Sequence, residues 1–429
     1  MKRLARSCMI LLFCLIPAMQ SAAQKADPAT LARFMQKYQS YKSSLARYRF
    51  TINPQQLADP NVNFWAGQLA ATDASIMGRP NDALFYFPIA SPAPQNLPDP
   101  AHYRTESAQQ WIIDRAPRYR IVMINEAHHV PQTRLLTISL LKPMWAAGFR
   151  YLALEALTND GKNPVPAGYP ENSSGEYTRD PVMSELVREA MKIGYTLVPY
   201  EANDRDLSQA SIRESMQSRN LQRFLASHPD AKVLLHAGYS HTAKSDVVKI
   251  SGATTMATDL VNSTGIRILS IDQVALTPLS LSSTDVIAAQ AQLAKAFDVS
   301  EPVVFVNKTK DATAWSAYPG AYDASILLPV SPAQVIRPDW LSLGGHRYKV
   351  YMDANPCGYH FPCLIQAFYS GEPDLAIPAD QIALMVPADT NTPLFLREGF
   401  YRLRYLTEGD QKFIERDFIV KPPNNGTRH

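Results

Sequence analysis

The chain has 429 residues, with 42 Lys+Arg against 39 Asp+Glu, and 46% of it is hydrophobic. So even a charge balance gives no sign of a nucleic-acid partner. The length and apolar content suit two folded units plus a smaller helical piece, each with a core to bury.

Residues 1–23 read as a cleavable signal peptide. Met1, Lys2, Arg3 and Arg6 precede an apolar run over 9–19, and Ser21, Ala22 and Ala23 supply the small-residue cleavage site. That run is about 11 residues, against roughly 20 needed to cross a bilayer as a helix, so a retained anchor is the weaker reading. Cleavage after Ala23 predicts a soluble periplasmic or secreted protein with no transmembrane span. It also lowers the Lys+Arg count from 42 to 39, level with the acids.

Residues 24–103 form an N-terminal helical segment and connector. Leu31, Phe34, Met35, Tyr38 and Tyr41 recur at helical spacing over 28–47, and a second short helix is expected over 63–77. Five prolines between Pro88 and Pro100 exclude helix and central strand, which marks the first boundary.

Over 104–330 short apolar runs alternate with longer amphipathic ones, the pattern of an α/β domain with a mainly parallel sheet and flanking helices. Strands are expected over 119–125, 151–155, 196–201, 232–237, 266–271, 302–306 and 323–328. Helices are expected over 132–147, 182–193, 207–227 and 254–263, with Pro143 kinking or splitting the first. Residues 335–425 change to strand-like alternation over 348–352, 364–369, 382–386, 400–405 and 413–420. Turns at Glu398-Gly399 and Glu408-Gly409-Asp410 complete the pattern of a small Ig-like β-sandwich. Cys8 and Cys14 leave with the signal. In an oxidising compartment Cys357 and Cys363 are expected to form a small disulfide staple, two free thiols being the alternative.

Such sheets bind ligands beyond the carboxyl ends of their strands. The first strand exits through Asn125-Glu126-Ala127-His128-His129, the second closes on Glu155, the third on Glu201, and the fourth gives His236-Ala-Gly238-Tyr-Ser-His241. Carboxylates ending buried strands are costly unless paired or liganded, so their convergence with imidazoles points to Glu126, His128, Glu155 and His241 as a functional cluster. Individually, Glu201 has a bland reading as a helix cap or a partner of Arg205, and His236 as a satisfied core histidine. His129 is expected to face away from His128.

Asn125-Glu126-Ala127-His128, then a helix, then Gly148-Phe149 and a strand ending at Glu155, resembles the erythromycin esterase-like and ChaN/Tiki-like superfamily. Gly238-Tyr-Ser-His241 and the Ala321-Tyr-Asp323-Ala closing strand resemble its later elements. The family's glycine before the glutamate is Asn125 here. A looser likeness is Arg213-Glu-Ser-Met216 with Asn220, similar to a helix of the esterase-like branch. The resemblance spans about 104–330. It implies ester hydrolysis, metal-dependent peptidase activity or haem binding, according to branch.

The leading expectation is a hydrolase of a small-molecule or peptide substrate. His128 takes a proton from water, Glu126 or Glu155 orients it, and His241 assists at the substrate oxygen. Glu201 and His236 are candidate substrate contacts, and so are Tyr177 and Arg179 on a Gly/Pro/Asn/Ser-rich segment over 159–180 long enough to act as a lid. A metal version makes Glu126, His128, Glu155 and His241 ligands of a divalent ion. The alternative class is a haem or ligand carrier without turnover, and a structural protein with a degenerate site is the third. The C-terminal domain fits docking of a protein partner in either of the first two cases.

Overall fold

The computed structural model describes residues 27–202, 209–309, 313–331, 335–407 and 413–422. The signal-peptide reading at 1–23, Arg205 and the turn at Glu408-Gly409-Asp410 lie outside these residues. Among the described residues five helices come first: α1 (Pro28–Ser40), α2 (Ser44–Thr51), α3 (Pro54–Ala58), α4 (Asn63–Ile76) and α5 (Pro80–Tyr86). The single helix expected over 28–47 is two, because Ser43 breaks it and caps the second by accepting from Ala46 N at 3.1 Å. An extended, proline-containing passage then leads to the sheet.

The α/β unit runs β1 (Tyr103–Ser107), α6 (Ala108–Arg115), β2 (Ile121–Glu126), α7 (Leu135–Ala146), β3 (Tyr151–Leu154), α8 (Pro181–Ile193), β4 (Thr196–Pro199), α9 (Ala210–Ser227), β5 (Val233–Gly238), α10 (Met256–Thr264), β6 (Ile268–Asp272), α11 (Thr284–Ala296), β7 (Val303–Asn307) and β8 (Ala324–Leu327). Its eight strands lie in the order β1-β7-β8-β6-β2-β5-β3-β4. The six from β8 to β4 are parallel, while β7 runs antiparallel between β8 and β1. Alternate residues feed two cores: Val122, Ile124, Leu152 and Leu234 pack on one face, Met123, Ala153 and Leu235 on the other. Burial on both faces explains why β2, β3 and β5 carry apolar residues on both sides rather than in alternation.

Helix α7 is not split at Pro143. The proline removes the bond that Ser139 O would have accepted four residues on, and the Gln109 side-chain amide donates to that carbonyl instead, at 2.7 Å.

The C-terminal region adds β9 (Tyr348–Val350), β10 (Cys363–Tyr369), β11 (Asp380–Leu384), β12 (Leu394–Leu396), β13 (Gly399–Leu406) and β14 (Phe413–Val420). They form an antiparallel sheet ordered β11-β10-β13-β14 and a two-stranded β12-β9 pair, which share one core containing Ile365, Ile382, Leu394, Leu396 and Leu403. A disulfide joins Cys357 to Cys363, with Cα atoms 5.9 Å apart. Among the described residues no helix is long and apolar enough to cross a membrane.

Helix α8 holds this region to the α/β unit. Its buried Glu185 pairs with Arg347 at 3.1 Å and Arg397 at 2.5 Å, while Arg188 holds Glu372 with two nitrogens. Burial pushes the Glu185 carboxyl up, but the two guanidiniums outweigh it and hold the group at about 2. A carboxyl lowered on folding contributes in full above its ordinary value of 4.5 and loses that contribution as pH falls toward 2. Glu185→Gln should therefore flatten the acid limb of the stability profile, removing up to about 3 kcal/mol of its pH-dependent drop. Urea melts between pH 5 and 2 measure this; an unchanged limb would contradict it.

Candidate functional site

The strand ends β2, β3, β5 and the segment after β4 bring Glu126, Glu155, His236 and Glu201 to one edge of the sheet, where His128 and His241 join them. The first half is built around Glu126, which is 1% exposed. Its Oε1 accepts from His128 Nδ1 at 2.8 Å, and its Oε2 accepts from Arg134 Nε at 2.6 Å, with His236 Nε2 at 3.3 Å. Arg134, wholly buried, also donates to His128 O at 2.7 Å and lies 2.8 Å from Asp180 Oδ1. Burial by itself would raise the Glu126 carboxyl, but Arg134 and the hydrogen bonds from His128 and His236 hold it well below the usual carboxylate range.

The second half centres on Glu155, 2% exposed. Its Oε1 receives Arg213 Nη2 at 2.6 Å and lies 3.2 Å from His241 Nε2, while its Oε2 accepts from Gly238 N at 2.5 Å. Burial again opposes ionisation, and His241 and Arg213 reverse it, leaving the carboxyl well below its ordinary value. Arg213 also grips Glu201, which takes two further bonds from Gln217 Nε2 at 3.0 and 3.1 Å. His241 is fully buried, its Nδ1 2.7 Å from Glu214 Oε1.

His128 joins the halves and is the most exposed imidazole of the cluster, at 7%. With Nδ1 committed to Glu126, its Nε2 points toward Glu155 Oε2 at 3.9 Å, and among the described residues no hydrogen bond closes on it. Its ring stacks on Tyr177 at 3.7 Å and 10° and meets the edge of Tyr239. His129 faces the other way, stacked on Phe87 and donating to Leu279 O at 2.7 Å.

Tight backbone approach makes this possible. A Cβ on Gly238 would come within 2.2 Å of His128 Nε2, and Tyr239 turns the chain out of β5 with φ of 46°. Asn125 needs no unusual angle. Its side chain latches neighbouring turns, donating to Tyr239 O and Asp272 Oδ1 at 2.9 Å and accepting from Gln273 N at 2.6 Å.

Several candidates are placed differently from their expected roles. Arg179 does not face the cluster, because its guanidinium is bound to Glu176, to Ser44 Oγ at 3.0 Å and 3.7 Å from buried Asp73. His236 sits behind Glu126 with Nδ1 2.9 Å from Thr137 Oγ1, so it supports the carboxylate rather than lining a surface. His241 stands likewise behind Glu155. Asp323 of the closing strand accepts from Lys244 Nζ and Ser270 N and is structural. Tyr177, on the segment 159–180, does reach His128, and that segment is pinned by Ser174 and by Ile377 N donating to Pro170 O. Arg134, Asp180 and Glu214 were not singled out from the sequence. Charged residues at helix starts default to solvent, and only the need to neutralise buried glutamates could have flagged them.

A divalent metal does not fit the side chains as arranged. Glu126 and Glu155 turn their oxygens onto arginines, His128 Nδ1 is spent on Glu126, and His241 is bonded on both sides. Among the described residues no group of three or more His, Cys, Asp or Glu side chains is placed to hold an ion. Haem ligation finds no better donor: His236 and His241 are enclosed, and His128 Nε2 faces a carboxylate.

No family model matches the chain, and no curated protein matches it. Among solved structures it is similar to the type III effector HopBA1, at 14% identity over 41% of this chain and 85% of that one, with a TM-score of 0.27. A likeness that weak carries no argument about function.

Gly238→Ala should drive its new methyl into His128 and cost about 1–3 kcal/mol, as overpacking of a tight site does. Chemical denaturation would show this, and an unchanged midpoint would mean that His128 does not sit against β5.

Proposed function

We propose that the chain is an exported hydrolase of the erythromycin esterase-like/ChaN-like type, in which His128 activates water against a small-molecule or peptide substrate. The observation that carries this reading is the Glu126–His128 pair: a carboxylate on Nδ1 fixes the tautomer, and Nε2 is left as the lone-pair nitrogen at the one imidazole of the cluster with some exposure. Water attacks the substrate carbonyl as Nε2 takes its proton. The imidazolium so formed lies between Glu126 and Glu155, both held ionised, which lowers the cost of its charge. Nε2 then returns the proton to the leaving oxygen or nitrogen. Arg134, Arg213, His236 and His241 are positioning residues in this scheme, and Tyr177 forms one wall of the water site.

The finer fold reading, an erythromycin esterase-like sheet followed by an Ig-like sandwich, belongs to the same proposal. So does export, which the disulfide supports because such bonds persist in oxidising compartments. The segment 159–180 serves as the lid, with Tyr177 as its contact to the site.

Hydrolysis of a panel of chromogenic esters, lactones and short peptides by purified protein in the presence of chelator tests the proposal. Turnover should persist with chelator and fall about 10²–10⁴-fold in His128→Ala, the usual range for a general base. Circular dichroism should match the wild type. Turnover abolished by chelator, or unchanged in His128→Ala, would refute the mechanism.

A further inference from the structure

At the opposite end of the sheet from the glutamates lies a cavity of about 520 Å³. Arg118, Arg120 and Arg267 line it, with Gln222, Thr264 and Gly265, and no acidic residue does. None of the three guanidiniums forms an ion pair with a carboxylate among the described residues, whereas Arg134, Arg213, Arg337 and Arg347 all do. The contacts of Arg120 and Arg267 hold these two in place without neutralising them. Arg120 donates to Ala231 O and His228 O, and Arg267 donates to Arg118 O and lies over the Tyr119 ring.

Part of this charge has a local explanation. The C-terminal ends of α9 and α10 point into the region, with Gly265 closing α10 in the left-handed conformation. Two helix ends contribute together about one negative charge, against three guanidiniums, so a surplus of about two positive charges remains. In a chain whose charges otherwise nearly cancel, three guanidiniums around one concave space make a local positive potential that attracts an anion. A volume near 520 Å³ is in the range of small-molecule sites.

We propose that this cavity binds a phosphate-bearing anion, either a free phosphorylated small molecule or a phosphate presented by a lipid headgroup. Guanidinium forks match phosphate oxygens with two parallel donors, and a ligand bearing two negative charges matches the surplus. The site is independent of the water-activating cluster, which lies beyond the other ends of the same strands.

Arg118 and Arg267 are exposed, so an Arg118→Ala/Arg267→Ala double variant should fold normally, as circular dichroism will show. Two probes separate the sources: calorimetric titration of the protein with inorganic pyrophosphate, against sodium chloride of equal ionic strength, and co-sedimentation with phosphatidylglycerol or phosphatidylcholine vesicles. Saturable pyrophosphate binding weakened at least tenfold in the variant supports a soluble ligand. Binding to phosphatidylglycerol vesicles alone, lost in the variant, supports a headgroup. If neither probe distinguishes wild type from variant, the proposal is overturned.

Discussion

Two buried arginines make the rest of this molecule's chemistry possible. Glutamates at the ends of buried strands would take up protons in so dry a setting, and a protonated Glu126, able to donate its own O–H to Nδ1, would no longer fix His128 as the Nδ1–H tautomer. Arg134 and Arg213, almost without solvent contact, reverse that preference. Removing either would take from a buried carboxylate its guanidinium partner, a change that typically costs several kcal/mol. Each arginine also reaches beyond its glutamate. Arg134 ties β2 to Asp180 at the start of α8, and Arg213 ties β3 to Glu201 and so to β4.

Through α8 this local constraint becomes a global one. Asp180 caps the helix, accepting from Val182 N and Met183 N, while its other oxygen receives Ser75 Oγ from α4. One turn further on, Glu185 binds Arg347 and Arg397 of the C-terminal region. Immediately before the helix, Tyr177 lies flat on His128. A single element therefore links the N-terminal helices, the ring against His128 and the C-terminal sheets. The C-terminal region is thus part of the support of the site.

The sheet was largely legible in the sequence because strands buried on both faces are short and mainly apolar, and their ends fell within a few residues of those expected. Strand β1 was not, because Tyr103–Ser107 reads Tyr-Arg-Thr-Glu-Ser and sits at an edge, where nothing demands an apolar pattern. The antiparallel run of β7 was equally invisible, since direction leaves no mark in composition. At the site, the acids and imidazoles announced themselves by ending apolar strands. Arg134, Asp180 and Glu214 did not, since each lies in or beside a helix and its burial depends on what packs over it. Arg179 misled for the same reason. It is near Tyr177 in sequence, yet the start of α8 turns its guanidinium toward Ser44 and Asp73.

The central claim is that Glu126 holds His128 as the Nδ1–H tautomer with a bare Nε2. Nitrogen-15 NMR of the imidazoles at neutral pH, in wild type and in Glu126→Gln, tests this most directly. The account predicts a His128 signal with Nδ1 protonated and Nε2 unprotonated, and loss of that preference in Glu126→Gln. An Nε2–H tautomer in the wild type, or the same spectrum in both proteins, would contradict it.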